Sequence, residues 1–496
     1  MPKKVSKFPP KKPDKSHLHV PAPKRNWSKF QKDIFRDING GAGHTVVIAR
    51  AGSGKTSTIV EGFKYLPKGK KTLMVAFNKS IADELKLKAP SYVDVMTLHS
   101  LGFRAIKQSF GANVILENDK AHMLISTLIG DDRDMWEVNQ SIAKCVSLCK
   151  GFLVDTPSKV GDLIDKFGIE IFDYSREKFT ELVLKTLALC KAKKDVIDFD
   201  DMIWFPFVYR LNVGKFDVVF VDEAQDLNQA QIAMVLSACK MDGRIIAVGD
   251  PAQSIYQFRG ADSEAIPNFI NKLGAKSLPL SVTYRCPTKV VALAQEIVPD
   301  IEPAADAKEG TVEDVPAEQI LKLVRPGDFV LSRTNAPLIK HCMALLRAGV
   351  PANIQGRDVG ANLHYFIKKS KAKTIVAFTE YVNTWREQEI KRLLAEKKDP
   401  IATIDKAECL LNLCEGTLTI KDLKETIDKL FNDVDDGAKV IFSTTHKAKG
   451  LERDRVFVLA NTYRKGSGVQ EEDNLWYVAV TRSKSELYLV KKNLKQ

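Results

Sequence analysis

One stretch, TVVIARAGSGKTSTI at residues 45–59, constrains this chain more than any other part of its sequence. The run Thr45–Ala49 is rich in β-branched residues and is typical of a short buried strand. Gly52 and Gly54 tolerate positive φ in a tight turn, and Lys55 opens a helix. The backbone N–H groups of such a turn, together with the helix N-terminus, attract phosphate. The stretch therefore predicts a phosphate-binding turn between a strand and a helix.

The turn also assigns roles to side chains. In the pattern GxxxxGK[ST] the lysine, here Lys55, reaches the β- and γ-phosphates, and the next hydroxyl, here Thr56, holds Mg²⁺. This chain departs from the pattern at one position, since it has Ala49 where the pattern has glycine, and residues 52–56 are called the phosphate loop below. The loop predicts binding of a nucleoside triphosphate with Mg²⁺. Its predicted contact residues are Gly52, Ser53, Gly54, Lys55, Thr56 and Ser57.

Length and charge narrow the possible classes of protein. A chain of 496 residues is too long for one core, so we expect about two to four domains. A net charge of +13 suits a polyanionic partner. No apolar run resembles a membrane span or a secretory signal. We therefore expect no membrane partner and an intracellular protein, in the cytoplasm of a bacterium or phage-infected cell or in a nucleus.

Two features of the composition leave alternatives open. The eight cysteines lack zinc or redox spacing. They fit buried free thiols, or an iron–sulfur cluster built from Cys145 and Cys149 with Cys409 and Cys414. Residues 1–26 are rich in Lys and Pro and predict a disordered basic arm, which would hold nucleic acid, direct import or merely be solvated.

Polar residues follow the predicted strands of a parallel sheet. Strands are predicted at 71–76, Val93–Met96, Phe216–Val221 and 244–248, besides the one at residue 45. Ligands bind beyond the carboxyl ends of parallel strands, so the residues that follow these strands should line the same edge as Lys55. From about 103 to 192 the pattern is helical, which predicts an inserted domain.

Carboxylates and arginines complete the chemistry of nucleotide hydrolysis. Asp222 at a strand end would fix Mg²⁺, and Glu223 would polarise the attacking water. Gln253, at a neighbouring strand end, is suited to sense the γ-phosphate. Arg285 and Arg482 from a second α/β half would balance the developing phosphate charge. If both arginines face the nucleotide across a cleft, binding closes the cleft and hydrolysis opens it.

The order of these motifs resembles that of the UvrD/Rep-type superfamily 1 helicases. The resemblance covers residues 31–489, and the forms AFNKSIADE and TLHSLGF are most similar to the F-box DNA helicase branch, although no F-box-like segment precedes the phosphate loop. The motifs that carry it are ARAGSGKT, FNKS, TLHS, IDFDD, VDEAQD, GDPAQSIYQFRGA, VTYRC, TTHKAKGLE and YVAVTRSKSELYL. The block YVAVT itself reads as either a strand or a helix.

The resemblance implies an α/β fold with two RecA-like parallel-sheet domains, each interrupted by a mostly helical insertion. Together with composition and periodicity along the chain, it predicts these boundaries: a basic arm at 1–26, a first domain at 27–104 plus 193–279 with an insertion at 105–192, and a second domain at 280–362 plus 432–496 with a smaller insertion at 363–431.

The resemblance also implies further site residues. Gln31 would read the adenine edge, Tyr284 would stack on its ring, and Glu452 would contact the ribose. Gln253, Arg285 and Arg482 would contact the γ-phosphate. The residues implied to contact single-stranded DNA are Phe77, Asn78, Thr97, His99, Tyr256, Phe258, Thr445 and His446. Aromatic faces stack on any base, which suits a motor that steps without reading sequence.

The implied function is an ATP-dependent DNA helicase that moves 3′→5′ on single-stranded DNA in replication, recombination or repair. It would bind ATP, Mg²⁺ and single/double-strand junctions, meet replication or recombination proteins, and act as a monomer or weak oligomer. Two alternatives stay open: an ATPase that strips proteins from single strands without unwinding, and a nucleotide-switched binding module. The first alternative gains support because the chain ends soon after Val490, where relatives continue into a strand-separating hairpin. The presence of the lysine, the threonine, both carboxylates and both arginines argues against the second. Stacking platforms do not distinguish DNA from RNA.

Overall fold

The computed structural model describes residues 26–130, 135–256, 260, 265–396, 398–431 and 438–492. Two six-stranded sheets organise these residues, and every strand pairing in both sheets is parallel. The α/β fold class is therefore confirmed. Residues 1–25 of the expected basic arm and Phe258 lie outside the described residues.

The first α/β half begins with helices and strands in alternation. They are α1 (Lys29–Gly40), β1 (Thr45–Ala49), α2 (Lys55–Gly62), β2 (Thr72–Val75), α3 (Lys79–Lys88), β3 (Val93–Met96) and α4 (Leu98–Phe110). Ser28 caps α1 and Asn78 caps α3, because each side chain accepts a backbone N–H of the first turn. The strands begin and end within one residue of their predicted bounds.

A helical insertion follows. It contains β4 (Ile115–Leu116), α5 (Lys120–Ile129), α6 (Trp136–Phe152), α7 (Pro157–Lys166), α8 (Arg176–Ala192) and β5 (Val196–Ile197). Its helices pack around a hydrophobic core that also contains residues of the first half, and its members include Ile142, Val146, Phe179 and Val183 together with Ile106 and Phe205.

The first half then resumes and completes its sheet. The elements are α9 (Phe199–Val208), β6 (Phe216–Val221), α10 (Gln229–Ala238), β7 (Cys239–Gly249), α11 (Ala265–Leu273) and β8 (Lys276–Leu280), and the sheet order is β3-β2-β6-β7-β1-β8. The expected second half began at 280, yet Leu280 ends β8, which pairs with β1. The strand KSLPL carries a lysine and a proline, which an edge strand tolerates.

The second half has the same architecture. It opens with β9 (Val282–Thr283), α12 (Thr288–Ala294), β10 (Glu302–Pro303), β11 (Thr311–Pro316), α13 (Ile320–Leu323), β12 (Phe329–Ser332), α14 (Ala336–Arg347) and β13 (Ala352–Ile354). After a second insertion it closes with β14 (Val440–Thr444), α19 (Thr445–Ala448), β15 (Arg453–Leu459), α20 (Gln470–Val480) and β16 (Ser483–Lys491). The sheet order is β11-β16-β15-β12-β14-β13. The YVAVT block is therefore helical, since it forms the end of α20.

The second insertion consists of four helices, α15 (Arg357–Ser370), α16 (Ile375–Ala395), α17 (Ile401–Cys414) and α18 (Ile420–Leu430). It shares one hydrophobic core with the second sheet, since Leu363, Phe378 and Leu410 pack in the same cluster as Val330 and Phe442. Among the described residues, no helix is both long and apolar enough to cross a membrane. All eight cysteines are buried and free, which agrees with the hypothesis of buried free thiols.

Candidate nucleotide and nucleic-acid site

The phosphate loop depends on glycine at Gly52. Its φ is +71°, and a Cβ at this position would lie 2.5 Å from Thr283 Oγ1 and 2.6 Å from Arg285 Cβ. Both distances are far below van der Waals contact, so no side chain fits. The loop of the first half therefore lies directly against the start of the second half. Gly54 has a φ of 79° and precedes α2 at its N-terminus.

Lys55 and Glu223 form the centre of the site. The Lys55 ammonium lies 2.7 Å and 2.8 Å from the two carboxylate oxygens of Glu223. Burial acts to raise the pKa of Glu223, but Lys55 and Lys449 outweigh it and lower that pKa to about 2. Glu223 also accepts a hydrogen bond of 2.6 Å from Gln225. Its backbone φ is 50°, an uncommon value for a residue other than glycine.

Asp222 lies beside this pair and is buried. Burial, with the nearby Glu223 charge, raises the pKa of Asp222 to about 7. A buried carboxylate of this kind favours a cation as a ligand, and hard cations such as Mg²⁺ prefer carboxylate and hydroxyl oxygens. Ser53 is fully buried, and its hydroxyl has no hydrogen-bond partner among the described residues. These groups fit a phosphate chain bound with a divalent cation.

The second half contributes two arginines and a glutamate. Arg285 Nε donates to Glu452 over 2.5 Å, so the predicted ribose contact pairs with a predicted γ-phosphate contact. Arg482 is 1% exposed and donates to the carbonyls of Val478 and Leu451. Burial and the neighbouring Arg285 lower the pKa of Arg482 to about 10. Because the Arg285 and Arg482 guanidinium groups are neighbours, their combined positive charge favours binding of an anionic ligand between the halves.

Lys449 is a residue of the site that the sequence reasoning missed. Its ammonium lies 2.8 Å and 2.6 Å from the two carboxylate oxygens of Asp226 and 2.6 Å from the Gln253 carbonyl oxygen. It also lies 4.9 Å from the ring centroid of Tyr256. The only sequence signal was its position three residues before Glu452 in KAKGLE. Lys449 thus brings a positive charge from the second half to the acidic strand end of the first.

Gln31 and Tyr284 lie together at the other end of the site. Gln31 is 3% exposed, and its Nε2 donates to Thr58 Oγ1 over 3.0 Å. The Tyr284 hydroxyl lies 3.4 Å from Gln31 Oε1, while the Tyr284 side chain is about half exposed. An exposed ring beside a fixed amide is suited to hold a base by stacking and edge contacts.

A cavity of about 1000 Å³ joins these groups. Both halves line it, and every residue predicted to bind nucleotide or metal is among the lining residues except Gln31. Those residues are Gly52, Ser53, Gly54, Lys55, Thr56, Ser57, Asp222, Glu223, Gln253, Tyr284, Arg285, Glu452 and Arg482.

Aromatic residues extend from this cavity. Phe77 and Tyr256 also line it and stack with ring centroids 6.4 Å apart and an interplanar angle of 12°. The Tyr256 hydroxyl donates to the His446 carbonyl oxygen over 2.9 Å, so the second half contacts the stack. Phe77 is 41% exposed. An aromatic pair with one exposed and one partly buried ring, next to the predicted phosphate site, is suited to stack on bases.

The remaining predicted DNA contacts lie in two environments. Asn78, directly after Phe77, caps the N-terminus of α3, and Thr97 caps the N-terminus of α4. His99 contacts Phe199 edge to face with centroids 6.0 Å apart, and Phe199, which was not predicted, is 49% exposed. Thr445 is fully buried, and its hydroxyl bonds the Tyr463 hydroxyl, so its side chain does not lie on the exposed surface.

Two parallel-sheet halves that line one cleft, with a glycine-rich turn and a lysine inside it, define a two-domain protein of the P-loop class. The model of the UvrD/REP helicase N-terminal domain matches residues 29–274, and that of the UvrD-like helicase C-terminal domain matches residues 357–493. The chain belongs to the UvrD/Rep-type helicase family.

The named proteins to which this chain is similar are also DNA helicases. The chain is 26% identical to the F-box DNA helicase protein 1 of Schizosaccharomyces pombe, over 89% of this chain and 55% of that protein. It is 26% identical to the ATP-dependent DNA helicase PcrA of Bacillus subtilis, over 52% of this chain and 37% of that protein. It is 23% identical to the putative ATP-dependent DNA helicase YjcD of Bacillus subtilis, over 92% of this chain and 78% of that protein. The chain spans about half the length of several of the relatives it matches.

Proposed function

We propose that this protein is an ATP-dependent DNA helicase that translocates 3′→5′ on single-stranded DNA. One observation carries the proposal: the cavity between the halves joins Lys55, Asp222 and Glu223 of the first half to Arg285 and Arg482 of the second. A nucleotide bound there touches both halves, so its binding and hydrolysis change their separation.

Different residues of the cleft have different roles in nucleotide binding and hydrolysis. The phosphate loop and Lys55 bind the phosphate chain, and Thr56 and Asp222 hold Mg²⁺, which neutralises charge on the phosphates. Once Lys55 turns to the phosphates, Glu223 loses its partner, its pKa rises, and it accepts a proton from the attacking water. Gln253, Arg285 and Arg482 stabilise charge on the transferred group. Gln31 and Tyr284 hold the adenine, and Glu452 the ribose.

The partly exposed aromatic side chains of the first half support single-stranded DNA as the track. Phe77, His99 and Tyr256 offer ring faces for bases, at about 1–3 kcal/mol each. Tyr256 is also tied to the second half through His446, so motion of that half reaches the strand. The net charge of +13 favours a polyanion. Replication, recombination or repair is the proposed setting, because each produces single strands and junctions.

Activation of ATP hydrolysis tests the nucleic-acid part of the proposal. Turnover is measured with single-stranded DNA, duplex DNA and RNA as activators at matched nucleotide concentration. We expect single-stranded DNA to stimulate turnover most. Equal rates with and without each nucleic acid would reject a nucleic-acid motor, and stimulation by RNA alone would reject DNA as the track.

Two tailed duplexes test unwinding and polarity. We expect ATP-dependent displacement of the short strand from a 3′-tailed duplex and none from a 5′-tailed duplex. Displacement only with the 5′ tail would reverse the polarity. If neither duplex is unwound while a fluorophore at a strand end still reports ATP-driven arrival, the protein is a translocase that strips bound proteins without unwinding.

A further inference from the structure

Arg50, directly after β1, has no role in the mechanism described so far. Its guanidinium forks between two carboxylates: Nη1 donates to Asp250 over 2.9 Å, and Nη2 donates to Asp300 over 2.8 Å. Its Nε reaches the same Asp300 oxygen over 3.2 Å. The Arg50 side chain is only 14% exposed. A largely buried arginine that joins two carboxylates fixes geometry as well as charge.

Asp250 is the centre of this arrangement. Its side chain is 0% exposed, and Arg50 is the cation that forms an ion pair with it. Its Oδ2 accepts hydrogen bonds from Gln253 Nε2 over 2.8 Å and from the Tyr477 hydroxyl over 3.1 Å. The first bond sets the orientation of the Gln253 amide, because a carboxylate accepts only from the NH₂ group. The position of the proposed γ-phosphate sensor therefore depends on Asp250.

A second set of bonds leads from Asp250 to Glu223. The Asp250 backbone N–H donates to Gln225 Oε1 over 3.0 Å, and Gln225 Nε2 donates to Glu223 over 2.6 Å. Gln225 is 2% exposed, so few other groups compete for these bonds. Both the proposed base and the proposed phosphate sensor are thus held by Asp250.

The same network reaches the second half of the molecule at two points. Asp300 lies between α12 and β10, and Tyr477 lies on α20. The Tyr477 hydroxyl accepts the backbone N–H of Ala51 in the turn after β1, over 2.9 Å. Ala51 and Ala252 also pack in one hydrophobic cluster with residues of α12 and α20. Arg50 therefore spans the junction whose opening and closing the proposed motor requires.

We propose that Arg50 is a positioning residue that holds Asp250, and through it Gln253 and Glu223, while its bond to Asp300 couples that arrangement to the second half. The inference rests on the proposed function, since it assigns Arg50 to the hydrolysis step and to its response to DNA. The Arg50 backbone carbonyl accepts the Ser53 N–H over 3.1 Å, a bond that does not involve the side chain. The described hydrogen bonds of the Arg50 side chain go to Asp250 and Asp300, so we expect ground-state binding of the nucleotide not to depend on the guanidinium.

Replacement of the arginine tests the positioning role. In Arg50→Ala the buried Asp250 loses its ion pair, so the carboxylate that orients Gln253 and the backbone N–H that orients Gln225 are both less firmly placed. We expect kcat for ATP to fall by about tenfold to a hundredfold, the cost of misplacing a group by about 1 Å, while KM for ATP changes less than about twofold. An unchanged kcat, or a KM that rises as kcat falls, would overturn the inference. Thermal melting of each variant shows whether it is folded.

Two milder variants keep Asp250 neutralised and carry the test if Arg50→Ala does not fold. Asp300→Ala removes only the bond to the second half. We expect its DNA-free turnover to stay within about twofold of the parent, while the stimulation by single-stranded DNA falls about threefold, as for a half-exposed ion pair. Arg50→Lys has one ammonium and cannot fork. We therefore expect it to retain most of kcat and to show the Asp300→Ala loss of stimulation.

The double variant Arg50→Lys with Asp300→Ala completes a cycle. Stimulation no lower than in either single variant supports the coupling, whereas two independent losses that multiply would contradict it. The unsubstituted protein separates this inference from the proposed function. If it hydrolyses ATP in response to DNA and the variants match it, only the role of Arg50 fails. If it does not hydrolyse ATP at all, the proposed function fails first.

Discussion

At the scale of single residues, a comparison of Gly52 with Gly43 distinguishes two effects of replacing a glycine, the strain of a positive φ and the steric clash of an added Cβ. Both have a φ of +71°, but a Cβ at Gly43 would meet nothing within 4 Å, whereas one at Gly52 would collide with Thr283 and Arg285. A left-handed conformation alone costs an alanine about 1–2 kcal/mol. The two glycines therefore form a matched pair for asking what the close contact between the halves contributes.

We expect Gly43→Ala to lower the free energy of unfolding by about 1 kcal/mol and to leave nucleotide binding unchanged. Gly52→Ala should cost more stability and weaken binding of a fluorescent ATP analogue at least about tenfold, because its Cβ pushes the second half off the phosphate loop. Urea unfolding and equilibrium titration measure the two effects. Equal losses of binding in both variants would show that the positive φ, and not the close contact of Gly52 with the second half, determines nucleotide binding.

The ion pair with Lys55 keeps Glu223 in a form that is a poor proton acceptor until the pair is broken. With a pKa lowered to about 2 by Lys55 and Lys449, against the opposing effect of burial, it is a weak base as long as Lys55 pairs with it. The φ of 50° at Glu223 adds backbone strain, which is common at functional sites.

Glu223→Gln should therefore separate binding from turnover. The amide cannot act as a base, so we expect hydrolysis to fall at least about a hundredfold. The amide also forms no ion pair with Lys55, so we expect ATP to bind no more weakly than to the parent. Single-turnover hydrolysis and equilibrium binding measure the two. Glu181→Gln, on the exposed part of α8, is the matched control and should change neither. Turnover near the parent rate in Glu223→Gln would remove Glu223 from the role of base.

Local motifs made the nucleotide residues predictable. Lys55 and Thr56 follow one strand, and Asp222 and Glu223 follow another, so the rule for parallel strand ends brings them together. Arg50, Lys449 and Phe199 were missed for a physical reason. The importance of Arg50 and Lys449 comes from partners about 200 residues away in sequence, and that of Phe199 from an exposure that only the fold creates.

At the scale of elements, the two insertions are attached in different ways. The second shares a hydrophobic core with its sheet, whereas the core of the first includes residues of the flanking helices α4 and α9 of the first half, and buried ion pairs add to that attachment. Lys150 of α6 lies 2.6 Å from Asp198 and 2.9 Å from Asp201, and Lys120 of α5 lies 2.6 Å from Asp201. Both lysines are almost fully buried, and the two aspartates lie at the start of α9.

This attachment predicts a large effect of one lysine. Lys150→Met leaves two buried carboxylates without their shared cation, so we expect unfolding free energy to fall by about 3–5 kcal/mol. Lys144→Met is the control, because Lys144 is an exposed residue of the same helix with no ion pair among the described residues. It should change stability by less than about 0.5 kcal/mol. Equal midpoints in urea unfolding for the two variants would contradict the assignment.

Most of the strands that the sequence predicted lie inside the sheets, and the edge strand β3 is the exception. Runs such as FDVVFV at β6 are apolar and β-branched throughout and end in polar residues. The strands β8, β11 and β13 were missed because they lie at sheet edges, where proline and charged residues occur or the strand is short. Their identity depends on a neighbouring strand, which a local pattern does not contain.

At the scale of the whole molecule, the two insertions contact each other, although each is carried by a different half. Trp136 of α6 stacks on Tyr365 of α15 with ring centroids 3.8 Å apart. Glu137 pairs with Lys369 over 2.5 Å, and Glu170 pairs with Arg392 over 3.0 Å. All four charged side chains are about a third exposed or more. Half-exposed ion pairs contribute about 0–1 kcal/mol each, and an aromatic pair about 0.5–1.5 kcal/mol.

Contacts this weak predict that the insertions separate readily, while the first insertion stays fixed to the first half by its buried ion pairs. Fluorophores at Ser158→Cys on α7 and Lys391→Cys on α16 report the separation by energy transfer, since the native cysteines are buried. We expect Tyr365→Ala to lower the transfer efficiency and added salt to lower it further, because salt screens the two ion pairs.

The control pair joins Ser158→Cys to Lys86→Cys on α3 of the first half. It should be insensitive to both Tyr365→Ala and salt, since the buried Lys150 cluster is screened little. A parallel change in both label pairs would mean that the first insertion itself moves. No change in either pair would mean that the two insertions form one rigid unit, and the motion that couples ATP to DNA would then have to arise at the cleft around Lys55 alone.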